Sequence, residues 1–233
     1  MSDSPEQIPL AFKQNTVQTF NDFTVGKNSL LLDSMHSFVQ SSENIFYLWG
    51  EPGSGKSHVL QAFINRLSLD GKSAVILNFE DLRDRQSVSL IEMFDYICID
   101  SAETIAGDSV LEESLFFWIN EVRQAHKKIL IASQYSNKSN AWQLPDLCSR
   151  IQSGRTYKII ALDRDEVLSV FNNLVKKKGI IIDQKVMAFL EKNCPMNLSF
   201  LSILLDKLDK ITLVEKKQVT IPLLKKILES KLV

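Results

Sequence analysis

The segment that most constrains the fold is a glycine-rich run between an apolar run and an amphipathic one. The five residues before it, Ile45–Trp49, are all apolar, as in a strand buried on both faces. Leu60, Phe63 and Leu67 follow it at helical spacing. The run itself fits the pattern G-x-x-x-x-G-K-[ST] and consists of Gly50, Glu51, Pro52, Gly53, Ser54, Gly55, Lys56 and Ser57, with His58 next. This order predicts a strand, a loop and a helix that together cradle phosphate groups.

Each residue type in this loop suits the binding of phosphate or Mg²⁺. Glycines allow the backbone to approach a phosphate closely, Lys56 would neutralise phosphate charge, and the Ser57 hydroxyl would ligate Mg²⁺. A second magnesium-orienting acid is expected where a neighbouring strand ends, and Asp100 directly follows the apolar run Tyr96–Ile99. The sequence therefore predicts a nucleotide site in which Ser57 and Asp100 hold the metal.

The remaining pattern predicts an α/β fold followed by helices. Helical segments separate five short apolar runs, which predicts a parallel sheet with strands at 45–49, 73–79, 96–99, 129–132 and 157–161. Beyond Leu162 only helical spacing occurs, at 167–177, 184–192, 198–211 and 221–232, while residues 180–182 are interpreted as a buried connector. We expect a flexible tail at 1–15, a nucleotide-binding domain at 16–163 and a helical domain at 164–233.

Charge and cysteine content exclude several classes of protein. The net charge of −1 argues against holding nucleic acid through a global positive field. Residues 1–163 contain 14 Lys/Arg and 20 Asp/Glu, whereas residues 164–233 contain 13 Lys/Arg and 8 Asp/Glu. We expect the lysines at 176–178 to form a solvated face. An odd number of cysteines without C-x-x-C spacing, no leader-like start and no long apolar stretch indicate a cytoplasmic protein without a membrane segment.

The residue after Asp100 predicts weak hydrolysis of the chain's own nucleotide. ATPases of this type usually place a water-activating carboxylate there, but this chain has Ser101, a poor general base. The next carboxylate is Glu103, which either substitutes as a base or is a solvated helix residue. We expect no robust intrinsic ATPase, with the nucleotide acting as a structural ligand or a switch.

An arginine is a candidate to act on a neighbouring subunit. Arg150 ends the run Leu-Pro-Asp-Leu-Cys-Ser-Arg, on a short helical segment between the fourth and fifth strands. From there it could reach a phosphate held by another subunit, as an arginine finger does. A surface salt bridge is the alternative. Arg155 is interpreted as structural.

These features resemble the DnaA-related AAA+ family along essentially the whole chain. The resemblance rests on residues 19–28, the phosphate loop, Ile99-Asp100 with Gly107-Asp108, and the Leu-Pro-Asp-Leu-x-Ser-Arg box. It implies an AAA+ core with a five-stranded parallel sheet, a small all-α lid, and ADP or ATP with Mg²⁺. Phe23, Val25 and Gly26 would then contact the base. The similarity is greatest to the short members of the family that inactivate DnaA.

The same resemblance implies a function for the N-terminal tail. Its apolar cluster resembles the peptide by which replication proteins dock on the DNA polymerase III sliding clamp: Gln7, Ile8, Pro9, Leu10, Ala11 and Phe12. An extended segment can place an amide at a pocket edge and apolar side chains in a cleft. DNA would then be reached mainly through the clamp. DnaA adds a helix-turn-helix domain, and since this chain stops at Val233 we expect no origin-reading domain.

The chain also departs from the family's pattern. Gln134 stands where the family has a sensor acid, and Ser199 is the best match for a lid arginine that contacts the nucleotide. Loss of that positive charge should weaken discrimination for the γ-phosphate. On the helix after Asp100, Phe116 and Asn120 are interpreted as contacts to a partner AAA+ domain, with core packing as the alternative.

The resemblance implies a regulator that stimulates hydrolysis of ATP bound to DnaA, together with the DNA-loaded clamp, and so prevents re-initiation of replication. Self-association as a homodimer or through AAA+-type contacts is compatible with it. Two alternatives stay open: an autonomous P-loop ATPase of helicase-loader type, and a clamp or DnaA adaptor that needs no nucleotide.

Overall fold

A computed structural model of the protein describes residues 19–77, 89–215 and 218–229. The predicted clamp-binding peptide at 7–12 lies outside these residues. The α/β part contains α1 (Ser29–Gln40), β1 (Ile45–Trp49), α2 (Lys56–Leu69), β2 (Ala74–Leu77), α3 (Ser89–Met93), β3 (Tyr96–Ile99), a 3₁₀ turn (Ala102–Ile105), α4 (Ser109–Gln124), β4 (Lys128–Ser133), α5 (Pro145–Ser153) and β5 (Arg155–Lys158). The helices that follow are α6 (Arg164–Lys177), α7 (Gln184–Asn193), α8 (Leu198–Glu215) and α9 (Ile221–Glu229).

The five strands form one parallel sheet in the order β2-β3-β4-β1-β5. This confirms the predicted fold class. Because parallel strands end at the same edge, the segments after β1, β3 and β4 meet there. Chemistry-bearing residues separated by dozens of positions in the chain are thereby brought to one edge of the sheet.

Strand β1 is buried on both faces, as its uninterrupted apolar sequence predicts. Ile45 and Tyr47 pack into a cluster that includes Trp118 of α4. Phe46 and Leu48 pack into a second cluster on the other face, with residues of α1 and α2 such as Phe38. Alternate residues of one strand thus join two separate hydrophobic layers to the sheet.

The predicted boundaries of the last strand, 157–161, were wrong. Strand β5 spans Arg155–Lys158 because its ladder partner β1 ends at Trp49, which pairs with Lys158. Beyond the strand, Ile159 N–H still donates to the Trp49 carbonyl at 2.7 Å, and Ile160 pairs with the Asn28 side chain instead of a strand. The second predicted strand, 73–79, is observed as Ala74–Leu77, and its last two positions lie outside the described residues.

The four C-terminal helices have a hydrophobic core of their own, which includes Phe171, Leu190 and Leu204. Asp163 begins α6 with a capping box, in which its side chain accepts from Glu166 N–H while the Glu166 carboxylate accepts from Asp163 N–H. Residues 180–182 form no helix or strand, in agreement with the predicted connector. The helical lid is therefore a packed unit that starts from a well-defined cap.

Two lysines of the run at 176–178 form ion pairs with acidic residues. Lys177 pairs with Asp22 of the N-terminal segment at 2.5 Å, and Lys178 pairs with Asp206 and Asp209 of α8 at 3.2 and 2.7 Å. The Lys177 pair connects the lid to the segment that begins the described chain. Within the described residues, no helix has the length and hydrophobicity required to span a membrane.

Candidate functional site

The loop after β1 is pressed against the segment that follows β5. A Cβ on Gly50 would lie 2.5 Å from the Ile159 carbonyl oxygen, so only glycine fits this position. Gly50 N–H donates to the carbonyl of Ser133, the last residue of β4, at 3.2 Å. Gly53 and Gly55 have φ values of +76° and +100°, in the region that favours glycine. The loop conformation thus requires these three glycines.

Lys56 lies inside the curve of this loop. Its ammonium group donates to the carbonyls of Gly50 and Glu51 at 2.8 and 3.0 Å, which uses two of its three N–H groups. Burial lowers the pKa of Lys56, whereas the negative charges of Glu103 and Asp100 act in the opposite direction. The lysine is therefore held at the loop, close to both acids, with one N–H left for a phosphate oxygen.

Two serines show how the loop fits a nucleotide. Ser54 is buried, and its hydroxyl oxygen has no hydrogen-bond partner within the described part of the chain. Ser57 is exposed on the first turn of α2, whose N-terminus attracts anions. With the lysine and the glycines, these residues fit a phosphate group, and the Ser57 hydroxyl and the Asp100 carboxylate fit the oxygen ligands of Mg²⁺.

The acids after β3 are both engaged with backbone. One oxygen of Asp100 accepts from Ser101 N–H at 2.8 Å, and Ser101 itself has φ +54°. Glu103 accepts from Gln134 N–H, just past β4, at 2.9 Å. Glu103 is partly buried and joins two strand ends, so it is not a solvated helix residue, which was one of the two interpretations from sequence.

The predicted base-side residues lie between the loop and the lid. The Phe23 ring approaches Gly55, whose Cβ would lie 3.3 Å from it, and packs against the His58 ring at a centroid distance of 5.7 Å. A Cβ on Gly26 would lie 2.8 Å from the Leu162 side chain, and Gly26 has φ +49°. Val25, between them, is half-buried. The segment 19–28 thus connects the phosphate loop with the start of the lid.

Asn28 anchors this segment, a role that sequence reasoning missed. Its buried side-chain amide accepts from Ile160 N–H and donates to the Ile160 carbonyl, both at 2.8 Å. These two bonds fix Asn28 to the backbone of the segment that follows β5. The only signal in the sequence was a polar residue at the start of a helix, which usually indicates a cap.

The lid reaches the loop through the start of α8. A Cβ on Gly53 would lie 3.2 Å from the Ser199 hydroxyl oxygen. Asn197 caps this helix by accepting from Phe200 N–H at 2.8 Å. Ser199 therefore lies beside the phosphate loop, in the region where the resemblance implies a lid arginine.

Arg150 and Phe116, which the sequence analysis treated separately, lie together. The Arg150 guanidinium is half-buried on α5 and stacks over the Phe116 ring of α4 at 6.0 Å. Asn120 follows one turn later on α4 and is half-buried. Arg155 forms an ion pair with Glu43 and donates to the Ser34 carbonyl, which confirms its structural interpretation.

Comparisons with known proteins agree with this architecture. Residues 163–228 match a protein family described as Hda, lid domain. An uncharacterized protein of Haemophilus influenzae is 29% identical over 227 residues, which are 96% of this chain and 98% of the relative. The lid match covers the helices whose start is fixed by the Asp163 cap.

Solved structures show the same fold at low sequence identity. Domain III of the replication initiation protein DnaA from Thermotoga maritima has a TM-score of 0.76 at 20% identity, covering 93% of this chain and 97% of that one. AMPPCP-bound DnaA from Aquifex aeolicus has a TM-score of 0.67 at 20% identity, covering 85% and 66%. The Thermotoga maritima RuvB branch migration motor has a TM-score of 0.64 at 13% identity, covering 91% and 72%.

The fold and the loop define an AAA+ P-loop core with a helical lid. Its lid matches the Hda lid family over residues 163–228, and its fold is the one seen in the AAA+ domain of DnaA. The chain spans 65% of another DnaA structure, one bound to AMPPCP and single-stranded DNA.

The close approach of Gly50 to Ile159 generates a prediction about stability. Gly50→Ala should lower the free energy of unfolding by about 2–3 kcal/mol, because the new methyl group overlaps a backbone oxygen that cannot move aside. Gly71→Ala is the control: φ there is +71°, but nothing lies within 4 Å of the new methyl group among the described residues, so the cost should be about 1 kcal/mol. Denaturant unfolding measures both, and an equal or smaller cost at Gly50 would contradict the overlap.

Proposed function

We propose that this DnaA-related regulator stimulates the hydrolysis of ATP bound to DnaA while hydrolysing little of its own nucleotide. In this proposal the chain binds ADP or ATP with Mg²⁺ at the loop and is tethered to the DNA-loaded sliding clamp through residues 7–12. It presents Arg150 to the ATP of DnaA. The products in the partner are ADP and phosphate, and the initiator is thereby converted to its ADP form.

The observation that carries the proposal is the contrast between the chain's own site and Arg150. At the chain's own site, Ser101 follows Asp100, and Glu103 is already bound to Gln134 N–H. One of the two Glu103 oxygens is therefore already occupied by a backbone donor, which leaves a single oxygen to accept a proton from water. Arg150, by contrast, is a half-exposed cation on a short helix, held over an aromatic ring. The chain is thus equipped to supply a cation better than to activate its own water.

The residues of the loop would hold the nucleotide rather than react with it. Lys56 would bind phosphate oxygens through its remaining N–H, and backbone N–H groups at the start of α2 would add further donors. Bound Mg²⁺ would supply neutralisation of phosphate charge. The Phe23 ring and the segment 19–28 would cover the base and carry the state of the site to the lid, to which Lys177 ties them.

Arg150 would act on a phosphate held by DnaA. A guanidinium placed against the transferred phosphoryl group stabilises the charge that develops on its oxygens, and fingers supplied in trans accelerate hydrolysis by about 10³–10⁵. Arg150 can do this only if it projects from the surface in a fixed direction. The Phe116 ring beneath it supports such a direction, because a cation and an aromatic face attract each other.

The nucleotide part of the proposal is tested by binding. Lys56→Ala should weaken binding of ADP and ATP, in the presence of Mg²⁺, by at least about tenfold, since a tenfold change corresponds to about 1.4 kcal/mol and a charged hydrogen bond contributes more. Isothermal calorimetry on the full chain measures this. Lys138→Ala, which removes an exposed lysine on a loop, should leave binding unchanged. If the unaltered chain binds neither nucleotide at micromolar concentration, the adaptor alternative is correct instead.

The catalytic part is tested by ATP turnover in DnaA. With clamp loaded on DNA, Arg150→Ala should reduce stimulation to the unstimulated rate, because the cation that stabilises the transition state is gone. Arg123→Ala, which removes an exposed arginine in the last turn of α4, is the matched control and should stimulate normally.

Two results would contradict this assignment. Normal stimulation by Arg150→Ala would remove Arg150 from the catalytic role. A robust ATPase activity of the isolated chain that Asp100→Ala abolishes would favour the autonomous ATPase.

A further inference from the structure

A fully buried carboxyl group lies on the apolar face of α4. Glu112 has no exposed surface and shares its face of the helix with Leu115 and Ile119. Burying a carboxyl group costs several kcal/mol unless hydrogen bonds replace its lost water. The partners of Glu112 therefore show which parts of the structure it holds in place.

Among the residues that the structure describes, Glu112 accepts hydrogen bonds from backbone N–H groups of two loops. Gly107 N–H donates to one carboxyl oxygen at 2.7 Å. Leu144 N–H donates to the other at 2.7 Å, and Gln143 N–H lies between them, at 3.1 and 3.0 Å. Gly107 belongs to the loop that leads from the 3₁₀ turn into α4, while the other two precede α5. One side chain thus joins loops that are more than thirty residues apart in sequence.

The second of these loops determines where α5 begins. The helix starts at Pro145, and Leu144 at its N-cap position provides no side-chain cap. The Glu112 carboxyl group binds the N–H groups of the two residues directly before the helix, and one of these is the N–H of the N-cap residue, which is otherwise unpaired within the described part of the chain. The orientation of the first turn of α5 therefore depends on a residue of α4.

Helix α5, which carries Arg150, is attached to α4 at two points. Arg150 lies five residues after Pro145, about 7.5 Å along the helix axis. Its guanidinium stacks on Phe116, one turn beyond Glu112 on α4. Leu147 and Ile151, on the inner side of α5, are fully buried. Glu112 fixes the start of the helix and Phe116 supports its arginine, so α4 sets the direction in which Arg150 projects.

We propose that Glu112 is a positioning residue for Arg150. By binding the N–H groups of Gln143 and Leu144, it fixes the start of α5 and with it the direction of the guanidinium. This inference rests on the proposed function of Arg150, since it states what keeps that residue in place. An apolar residue of the same size would fill the same space, but it would leave three N–H groups free to turn toward water and the start of α5 without a fixed orientation.

The variant Glu112→Gln tests this with little change of volume. Its NH₂ group cannot accept, so the N–H groups facing that atom lose their partner. At least one of the amides of Gly107, Gln143 and Leu144 should exchange with solvent at least about tenfold faster, because it loses its buried acceptor. Hydrogen exchange followed by NMR on the full chain measures this, and unchanged exchange at all three amides would overturn the proposal.

Stimulation of DnaA distinguishes positioning from simple loss of folded protein. Glu112→Gln should lower the maximal stimulated rate by about tenfold at saturation, while the concentration that gives half-maximal stimulation stays unchanged. A variant that is merely less folded regains the full maximal rate when added in excess, and that result would overturn the proposal. Glu113→Gln makes the same chemical change at the adjacent, exposed residue and should leave both measurements unchanged.

A second variant keeps the test valid if Glu112→Gln does not fold. Glu112→Asp retains both oxygens but is shorter by one methylene, so it cannot reach both loops, and it should show the same pattern. If Arg150→Ala stimulates DnaA normally, the proposed function fails, but exchange at Gln143 and Leu144 still reports whether the residue at 112 fixes the start of α5. The two failures are therefore distinguishable.

Discussion

The contact between Gly50 and Ile159 is the constraint on which the rest of the site depends. Because a Cβ on Gly50 would lie 2.5 Å from the Ile159 oxygen, the phosphate loop and the strip after β5 touch backbone to backbone. The next residue in that strip, Ile160, holds Asn28 and with it the segment that carries Phe23. Three residues further, Asp163 caps the first helix of the lid. The loop, the segment 19–28 and the lid are all positioned by one short stretch of chain.

A second group of residues, around Glu112, positions Arg150. The segment after β3 connects this group with the loop after β1. The segment after β3 begins with Asp100 beside Lys56, continues through the Glu103 contact to β4, and reaches Gly107. The Glu112 carboxyl group accepts from the N–H groups of Gly107 and Leu144 and so joins this segment to the start of α5. Asp100 beside the loop and the helix that carries Arg150 are therefore joined by one continuous series of contacts.

Local patterns predicted the elements well, and distant contacts account for what they missed. The loop after β1 and the buried strands β1 and β3 were predicted from adjacent residues, because glycine spacing and apolar runs are local features. The boundaries of β5 depend instead on where β1 ends, which no local pattern records. For the same reason the run 157–161 gave boundaries too far along the chain.

The roles of Asn28 and Glu112 were hidden for a related reason. The partner of Asn28 is 132 residues away and two of the partners of Glu112 are 31 and 32 residues away, so neither role can be seen in the neighbouring sequence. Glu112 did leave one signal, an acidic residue at a position where helical spacing predicts an apolar one. Such a residue on a buried face indicates a long-range hydrogen-bonding role, although it does not identify the partners.

The central claim is that hydrolysis takes place in the partner and not at this chain's own loop. The most direct measurement loads labelled ATP either onto DnaA or onto this chain, mixes the two proteins with clamp loaded on DNA, and follows labelled ADP during a single turnover. The account predicts rapid conversion of the label carried by DnaA and little conversion of the label carried by this chain. Faster conversion of this chain's own label would contradict it.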